Sequence, residues 1–466
     1  MHRPAHRWLG LVAVSLGVAL IVVDLTIVNV ILAPVIEDLA LSSAQAQWVQ
    51  ESYAIVFAAL LLLTGRLADL HGARRVFGFG LAVFAATSLA VALAPTGELV
   101  IAARFLQGVG GALILPASLS LVNTAFPGPD RAKAFAVWGS TIGAAAALGP
   151  LLGGWLAGFS WRWAFGINLP LAALIALVAF AYLPATPRRS GRIGFTGAVL
   201  SAAGLGLIAF ALIEGRSHGW LLITEPWLWS AGPSPALVAL VLAALLLTVF
   251  LRGQAKLGDA ALLDVRLFTI PSFRNGNAIT LLVGIGEFGL LAVLPLWLQL
   301  TLGYTPLEAA WALAALALGS FAASGASFSM KSSPLTQVRL GLALEIGGLA
   351  ALGLLASPET SWWPIVLALL GYGVGVGFAT AQVTNVVLAE IPPERAGQSS
   401  GIQSVTRELG SALGIAVITT VFFSASGSLT GGQAMTDALA FAAYLCAALL
   451  AIALLTTTSL RTKTNA

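Results

Sequence analysis

The chain alternates long apolar runs with short polar joints. Fourteen runs stand out, at roughly 9–33, 48–68, 76–94, 98–122, 135–157, 163–183, 195–214, 235–251, 276–300, 307–330, 338–356, 362–388, 402–424 and 437–457. A helix needs about twenty apolar residues to cross a bilayer core. In hydrocarbon every backbone polar group must be satisfied within the chain, so runs of this length predict transmembrane helices. The run at 235–251 is short and follows Trp227, Trp229, Pro233 and Pro235, whose tryptophans suit a membrane interface.

The polar joints carry a charge asymmetry. With the N-terminus inside, all but Arg104, Arg162 and Arg216 of the 23 lysines and arginines fall in or beside inner segments. This bias predicts both termini in the cytoplasm and an even number of spans. The expected location is a bacterial inner (plasma) membrane.

Composition agrees with that class. Hydrophobic residues make up 58% of the 466 and charged residues only 9%, where a soluble domain has about a quarter charged. The net charge of +4 is no nucleic-acid signal, because the basic residues flank the membrane runs. Cys446 is the single cysteine, so no intrachain disulfide forms. The basic start at residues 2–7 leads straight into a spanning run, with no cleavable-signal pattern. No Walker-type phosphate loop and no paired Cys/His pattern is present. ATP-driven transport, a metal site and an enzymatic role are therefore not expected, and the expected cofactor is none beyond a proton gradient.

An internal repeat sets the plan. Gln107-Gly108-Val109-Gly110-Gly111, Pro129-Asp130-Arg131-Ala132 and Gly149 recur as Tyr372-Gly373-Val374-Gly375, Pro393-Glu394-Arg395-Ala396 and Gly414, offset by 264 or 265 residues. That offset exceeds six helices by about two. The expected architecture is an all-α integral membrane protein of 6 + 2 + 6 transmembrane helices: a six-helix bundle over residues 1–190, two inserted helices and linkers over 191–260, and a second bundle over 261–466. Paired halves of this kind hold substrate near the midplane at their interface and rock around it.

Ionisable groups inside spans cost about 2.5–3.5 kcal/mol on insertion scales, so each one points to a function. Asp24, Glu51 and Arg104 fall at similar depth in the first bundle and form a candidate proton-titrating cluster. The bland alternative is a static buried ion pair. Asn29 and Tyr53 lie beside them and are candidates for the substrate path. In the second half Glu287 lies near the midplane of its run, with Phe288, Trp297 and Gln299 on the same run. A lone midplane carboxylate suits a cationic substrate or a second proton; the alternative is a packing residue. Glu345 is shallower. Gly149-Pro150 and Gly153-Gly154 give the fifth run a close-packing face, with Pro150 a possible bend. In the joint Gly65-Arg66-Leu67-Ala68-Asp69-Leu70-His71-Gly72-Ala73-Arg74-Arg75, Gly65 and Gly72 allow a tight reversal or a close backbone approach. Asp69 is placed to pair with an arginine or cap the next helix.

Four of these stretches together resemble the fourteen-helix drug:proton antiporter branch of the major facilitator superfamily. They are the joint from Gly65 to Arg75, Arg104-Phe105-Leu106-Gln107-Gly108-Val109-Gly110-Gly111, Gly149-Pro150-Leu151-Leu152-Gly153-Gly154, and Asp24 with Asn29 and Pro34. Trp161-Arg162-Trp163 through Asn168-Leu169-Pro170 is also typical of that branch. The resemblance implies a proton-linked role for Arg104, an antiporter helix at Gly149, Pro150, Gly153 and Gly154, and a gating loop at Gly65, Asp69, Gly72, Arg74 and Arg75. His71 and Ala73 stand where the family usually has basic residues, and the second-half joint from Lys331 to Arg339 lacks the motif.

The expected function is proton-coupled efflux of hydrophobic, cationic compounds by alternating access. The expected partners are that small substrate, protons and the lipid bilayer, with no nucleic acid and a monomeric state. The rivals are a dedicated exporter of a host metabolite or antibiotic, a proton-driven importer, and a transport-inactive membrane receptor.

Overall fold

A computed structural model describes residues 4–41, 43–128, 130–183, 186, 194–226, 229–257, 261–426 and 432–460. The described chain is helical almost throughout. In order come α1 (Pro4–Leu39), α2 (Ser43–His71), α3 (Ala73–Leu93), α4 (Gly97–Ala125), α5 (Asp130–Ala157), α6 (Arg162–Gly166), α7 (Asn168–Tyr182), α8 (Phe195–His218), α9 (Pro235–Leu257), α10 (Pro271–Leu300), α11 (Pro306–Ser329), α12 (Pro334–Leu355), α13 (Trp362–Val387), α14 (Ala396–Ser426) and α15 (Gly432–Thr456). Among the described residues, thirteen stretches are long and apolar enough to cross a membrane. The run at 135–157 forms the long helix α5, part of whose side chains lie outside the described residues. The run at 163–183 is divided at Ile167 into α6 and α7, which together make one span.

Most helices overrun their apolar cores. The run at 9–33 becomes α1 with 36 residues, and the run at 402–424 becomes α14 with 31. Polar residues at a helix end meet water or head groups and need not break the helix. The helix starts are written in local chemistry. Thr305 and Glu308 form a reciprocal capping box before α11, with Pro306 in the first turn. Ser333 accepts from the Thr336 N–H at 3.2 Å before α12, and Ser234 accepts from the Leu237 N–H at 3.0 Å before α9. Each satisfies a backbone donor that the first turn leaves open.

The chain forms two compact units. One comprises Met1–Arg131, Ala145–Leu267 and Ile391–Val405; the other comprises Ala132–Ala144, Phe268–Glu390 and Thr406–Ala466. In the first unit α3 and α2 both pack along α4, α1 packs on α7, and the α8–α9 pair lies against α2. The expected inserted pair is thus attached through α8, where Gly206 faces Ala59. A small apolar cluster of Ala211, Ala236 and Ala239 joins α8 to α9. In the second unit α13 packs between α11 and α12, and α15 packs between α10 and α12. Both units leave large apolar side chains bare, with Leu93, Leu177, Leu354 and Leu455 each about 70% exposed or more. Outward apolar surface on long helices is stable against lipid tails.

A polar clamp in the first unit joins the segment after α9 to the start of α14. Asp264 accepts from Arg266 at 2.9 and 3.1 Å and pairs with Arg395. Gln398 donates to the Ala261 and Leu262 carbonyls at 3.2 and 2.6 Å. Burial pushes the Asp264 carboxyl up. Hydrogen bonds from the Arg266 side chain and N–H, with the charges of Arg395 and Arg266, outweigh this and hold it below the ordinary 3.8.

Two outcomes follow from these local contacts. Thr305→Ala removes the capping box and is expected to cost about 1 kcal/mol, read as a lowered apparent Tm in detergent, while Thr305→Ser stays near wild type. The Asp264 carboxyl has a depressed folded pKa, so its stabilisation is complete above its ordinary value and is lost as pH falls through the folded one. The Tm gap between wild type and Asp264→Asn is therefore expected to be full at neutral pH and to close as pH drops below about 4. A gap that stays constant across that range would contradict the assignment.

Candidate functional site

Asp24 lies in mid-α1, and its side chain is fully removed from solvent. Three residues on two other helices converge on it. Arg104 of α4 donates to one carboxylate oxygen at 2.5 Å. Gln107, three residues on and so on the same helix face, donates to the other at 2.9 Å. Asn168, the first residue of α7, reaches that same oxygen at 3.3 Å. Ser88 of α3 accepts from both Gln107 and Asn168, at 2.8 and 3.1 Å. Four helices thus meet at one carboxylate.

Arg104 is enclosed as completely as its partner. Its Nε donates to the Val49 carbonyl of α2 at 3.1 Å, and it also donates to the Gln107 amide oxygen at 2.8 Å. Its guanidinium lies 4.5 Å from the Tyr53 ring centre and 5.9 Å from that of Phe165. These aromatic faces add attraction for the cation without adding water. An ion pair this dry is stable only because each partner has further hydrogen bonds. Adding a proton to Asp24 removes the negative charge that Arg104 faces. The cluster ties α1, α3, α4 and α7 together through one carboxylate and its partners.

The structure brings Asp24 and Arg104 into contact, as their shared depth suggests. Glu51 is buried on α2, two residues beyond the carbonyl that Arg104 holds. Tyr53, expected on the substrate path, is fully buried beneath Arg104 and stacks near Phe57 at 5.6 Å. The Asn29 side chain lies outside the described residues. Gln107 and Asn168 are partners that sequence alone does not single out. The signal for Gln107 is its three-residue spacing from Arg104. Asn168 is placed by the α6–α7 break, which hydropathy does not register.

The glycine face of α5 bears on the same region. A Cβ at Gly149 would collide with the Thr26 hydroxyl, and one at Gly153 would lie 2.9 Å from Ile27. Both contacts fall within one turn of Asp24, so α5 supports the stretch of α1 that presents the carboxylate. Pro150 and Gly154 fall within α5, with their side-chain surroundings outside what is described.

The joint at Gly65–Arg75 differs from the expected loop. α2 continues as helix to His71, and α3 begins at Ala73. Gly72 alone makes the reversal, with φ 88°, a conformation that glycine adopts without strain. Gly65 is helical, and its part is close approach: a Cβ there would come 2.5 Å from the Gly397 carbonyl and 2.8 Å from Gly401. Asp69 caps a helix, though not the one that follows it. Its two oxygens accept from the Gly397 and Gln398 N–H groups at 2.6 and 2.7 Å, at the N-terminus of α14. A carboxylate there meets both open donors and the positive end of the helix dipole. Arg74 donates to the Leu183 carbonyl at the end of α7 at 2.5 Å and lies 5.6 Å from the Phe180 ring. Arg75 is exposed, and Arg66 is fully buried. At the opposite end of α3, Asp38 takes hydrogen bonds from Arg162 at 2.5 Å and Trp161 at 3.0 Å, closing the α1 and α6 ends together.

In the second unit Glu287 and Phe288 are half-buried on α10, as is Gln299. Glu287 is within electrostatic range of Arg407 and Glu345. Trp297 is fully buried in this conformation and donates to Thr436 of α15 at 3.0 Å, which makes it a tie between helices.

Comparison with known proteins gives the family. The Major Facilitator Superfamily profile matches residues 14–415. A probable actinorhodin transporter of Streptomyces coelicolor is 34% identical, over 91% of this chain and 74% of the relative. A puromycin resistance protein of Streptomyces alboniger is also 34% identical, over 91% of this chain and 83% of the relative. The fold is similar to the crystal structure of a human organic anion transporter, with a TM-score of 0.68 over 96% of this chain and all 100% of that one, at 20% identity. The chain belongs to the major facilitator superfamily of multi-pass membrane transporters.

Proposed function

We propose that this transporter is a proton-coupled efflux antiporter that exports hydrophobic, cationic compounds by alternating access. The observation that carries the reading is the fully buried Asp24–Arg104 pair with Gln107 and Asn168 around it. A carboxylate inside a span, fixed by donors from several helices, gives a proton a place where its arrival changes packing. Support for export comes from the relatives, one named for actinorhodin and the other for puromycin resistance.

In this reading an external proton reaches Asp24 through Glu51 and weakens its hold on Arg104. Helices α1, α4 and α7 then shift against one another, and the transporter changes the side to which it opens. Cationic substrate is attracted by Glu287 and packs on Phe288 and Gln299. Asp69 at the α14 N-terminus, with Arg74 at the α7 end, latches the cytoplasmic side while the outer side is open. The membrane plan is fourteen spans in a 6 + 2 + 6 order, in a bacterial plasma membrane with both termini cytoplasmic. A second reading, a dedicated exporter of a compound made by its host, is favoured by the actinorhodin transporter among the relatives. The two differ in substrate range and share the proton site.

In inverted vesicles with an imposed pH gradient, uptake of a fluorescent lipophilic cation is expected to collapse with an uncoupler and to fall to background in Asp24→Asn. Full gradient-driven uptake by that variant would refute the proton role. Narrow uptake confined to one host compound would select the second reading. For the latch, hydrogen bonds to a charged group contribute about 1.5–3 kcal/mol, so Asp69→Asn is expected to release the α14 start by about tenfold or more. The measurement is the alkylation rate of a Ser399→Cys reporter in a Cys446→Ser background, since Ser399 is fully buried behind the contact. An unchanged rate would exclude the latch.

A further inference from the structure

The two units repeat one helix crossing, and a carboxylic acid in the second stands where a phenyl ring stands in the first. In the first, a Cβ on Gly80 of α3 would lie 3.1 Å from the Gly110 carbonyl of α4, and one on Gly110 would lie 2.7 Å from the Phe84 N. In the second, a Cβ on Gly341 of α12 would lie 2.7 Å from the Gly375 carbonyl of α13, and one on Gly375 would lie 2.5 Å from the Glu345 N. Glu345 thus occupies the place that Phe84 occupies in the other half. Phe84 is fully buried there, so packing at this position is met by a plain phenyl ring. A carboxyl group is not needed for the fold.

The Glu345 environment is unlike that of Asp24. Its side chain is fully buried, and neither carboxyl oxygen has a hydrogen-bond partner among the described residues. Asp24 has three donors around it, one of them an arginine. An ionised carboxylate with no donor and no water is strongly disfavoured, and such a group takes up a proton instead. The helices packed on α12 are α13 and α15. They bring Tyr372, whose hydroxyl is buried and equally without a partner, and the apolar-buried thiol of Cys446. Tyr372 is held close: a Cβ on Gly348, one turn along α12 from Glu345, would meet its Cα at 2.7 Å. Tyr444 of α15 stands farther along, against Gly353. Glu287 of α10 is the carboxylate in electrostatic range, and Arg407 of α14 is in turn within range of Glu287.

We propose that Glu345 is a second proton-binding site, separate from Asp24, which holds a proton in this conformation where α12 crosses α13. Its ligand is the proton itself. Glu287 is the gatekeeper: its negative charge favours a neutral Glu345, and a cation arriving at Glu287 cancels that charge and favours release. Protonation at Glu345 stands on burial and missing donors alone. Only the release step rests on the export reading given above.

The test is infrared spectroscopy of the purified protein in lipid nanodiscs at neutral pH, which needs no transport. The spectrum of wild type minus Glu345→Phe is expected to contain a carboxylic-acid C=O band that shifts in heavy water. Glu345→Phe copies the residue of the first half and keeps the crossing filled. Glu345→Gln, a neutral mimic, should lose the same band and keep the wild-type Tm. Asp24→Asn should retain the band. A difference spectrum that shows only carboxylate bands, or a band that persists in both Glu345 variants, would overturn the proposal. If the band is present but the lipophilic cation is not driven by a pH gradient, the Glu345 site stands and the export reading falls.

Discussion

A charge inside a membrane must be matched within the protein, and the first unit is arranged around one such match. Asp24 and Arg104 are both dry. Neither is tolerable alone, since removing one partner of a buried pair leaves the other uncompensated. The remaining contacts follow from this requirement. Gln107, Asn168 and the Val49 carbonyl fill the hydrogen-bonding positions that the ion pair leaves open, and Ser88 in turn accepts from Gln107 and Asn168. The glycines of α5 let that helix lie directly on the turn of α1 that carries Asp24. The site is thus held by backbone proximity as well as by side-chain chemistry, and it ties four helices together.

The second unit handles its buried acids differently. Glu287 has an arginine within electrostatic range, whereas Glu345 has no hydrogen-bond donor among the described residues. The repeated glycine crossing shows that the two halves share a backbone plan and diverged in what they place on it. The first half sets an arginine directly on Asp24, while the second leaves the Glu345 oxygens without a donor among the described residues.

Much of this was legible in the residues. Hydropathy located the spanning helices because lipid leaves little choice of structure for a long apolar run. It did not reveal where helices end. Arg66 and Asp69 look like loop residues by polarity, yet α2 runs through them to His71, because helical hydrogen bonding is indifferent to a polar side chain that finds a partner. Asp24 and Arg104 were recognisable since a charge in a span is rare and must be answered. Asn168 was not, because its position depends on the break at Ile167, a backbone event with no hydropathy signal. Tyr53 and Trp297 show the same limit. An aromatic residue in a span reads alike whether it lines a path or, as here, supports an arginine or ties α10 to α15.

The contact that Asp69 makes is half side chain and half main chain. Its acceptors are the carboxylate oxygens, but its donors are the N–H groups of residues 397 and 398. Every residue except proline supplies such a donor. The receiving side therefore cannot be erased by ordinary substitution at Gln398. At residue 397 the limit is steric, because a Cβ there would approach the Asp69 oxygen at 2.5 Å. Evolution has unequal freedom across this joint: one acid is fixed by chemistry and one glycine by space, while the Gln398 side chain answers to a different contact, the Ala261 and Leu262 carbonyls. A lineage could thus change the side chain at residue 398 and still keep the main-chain half of this contact.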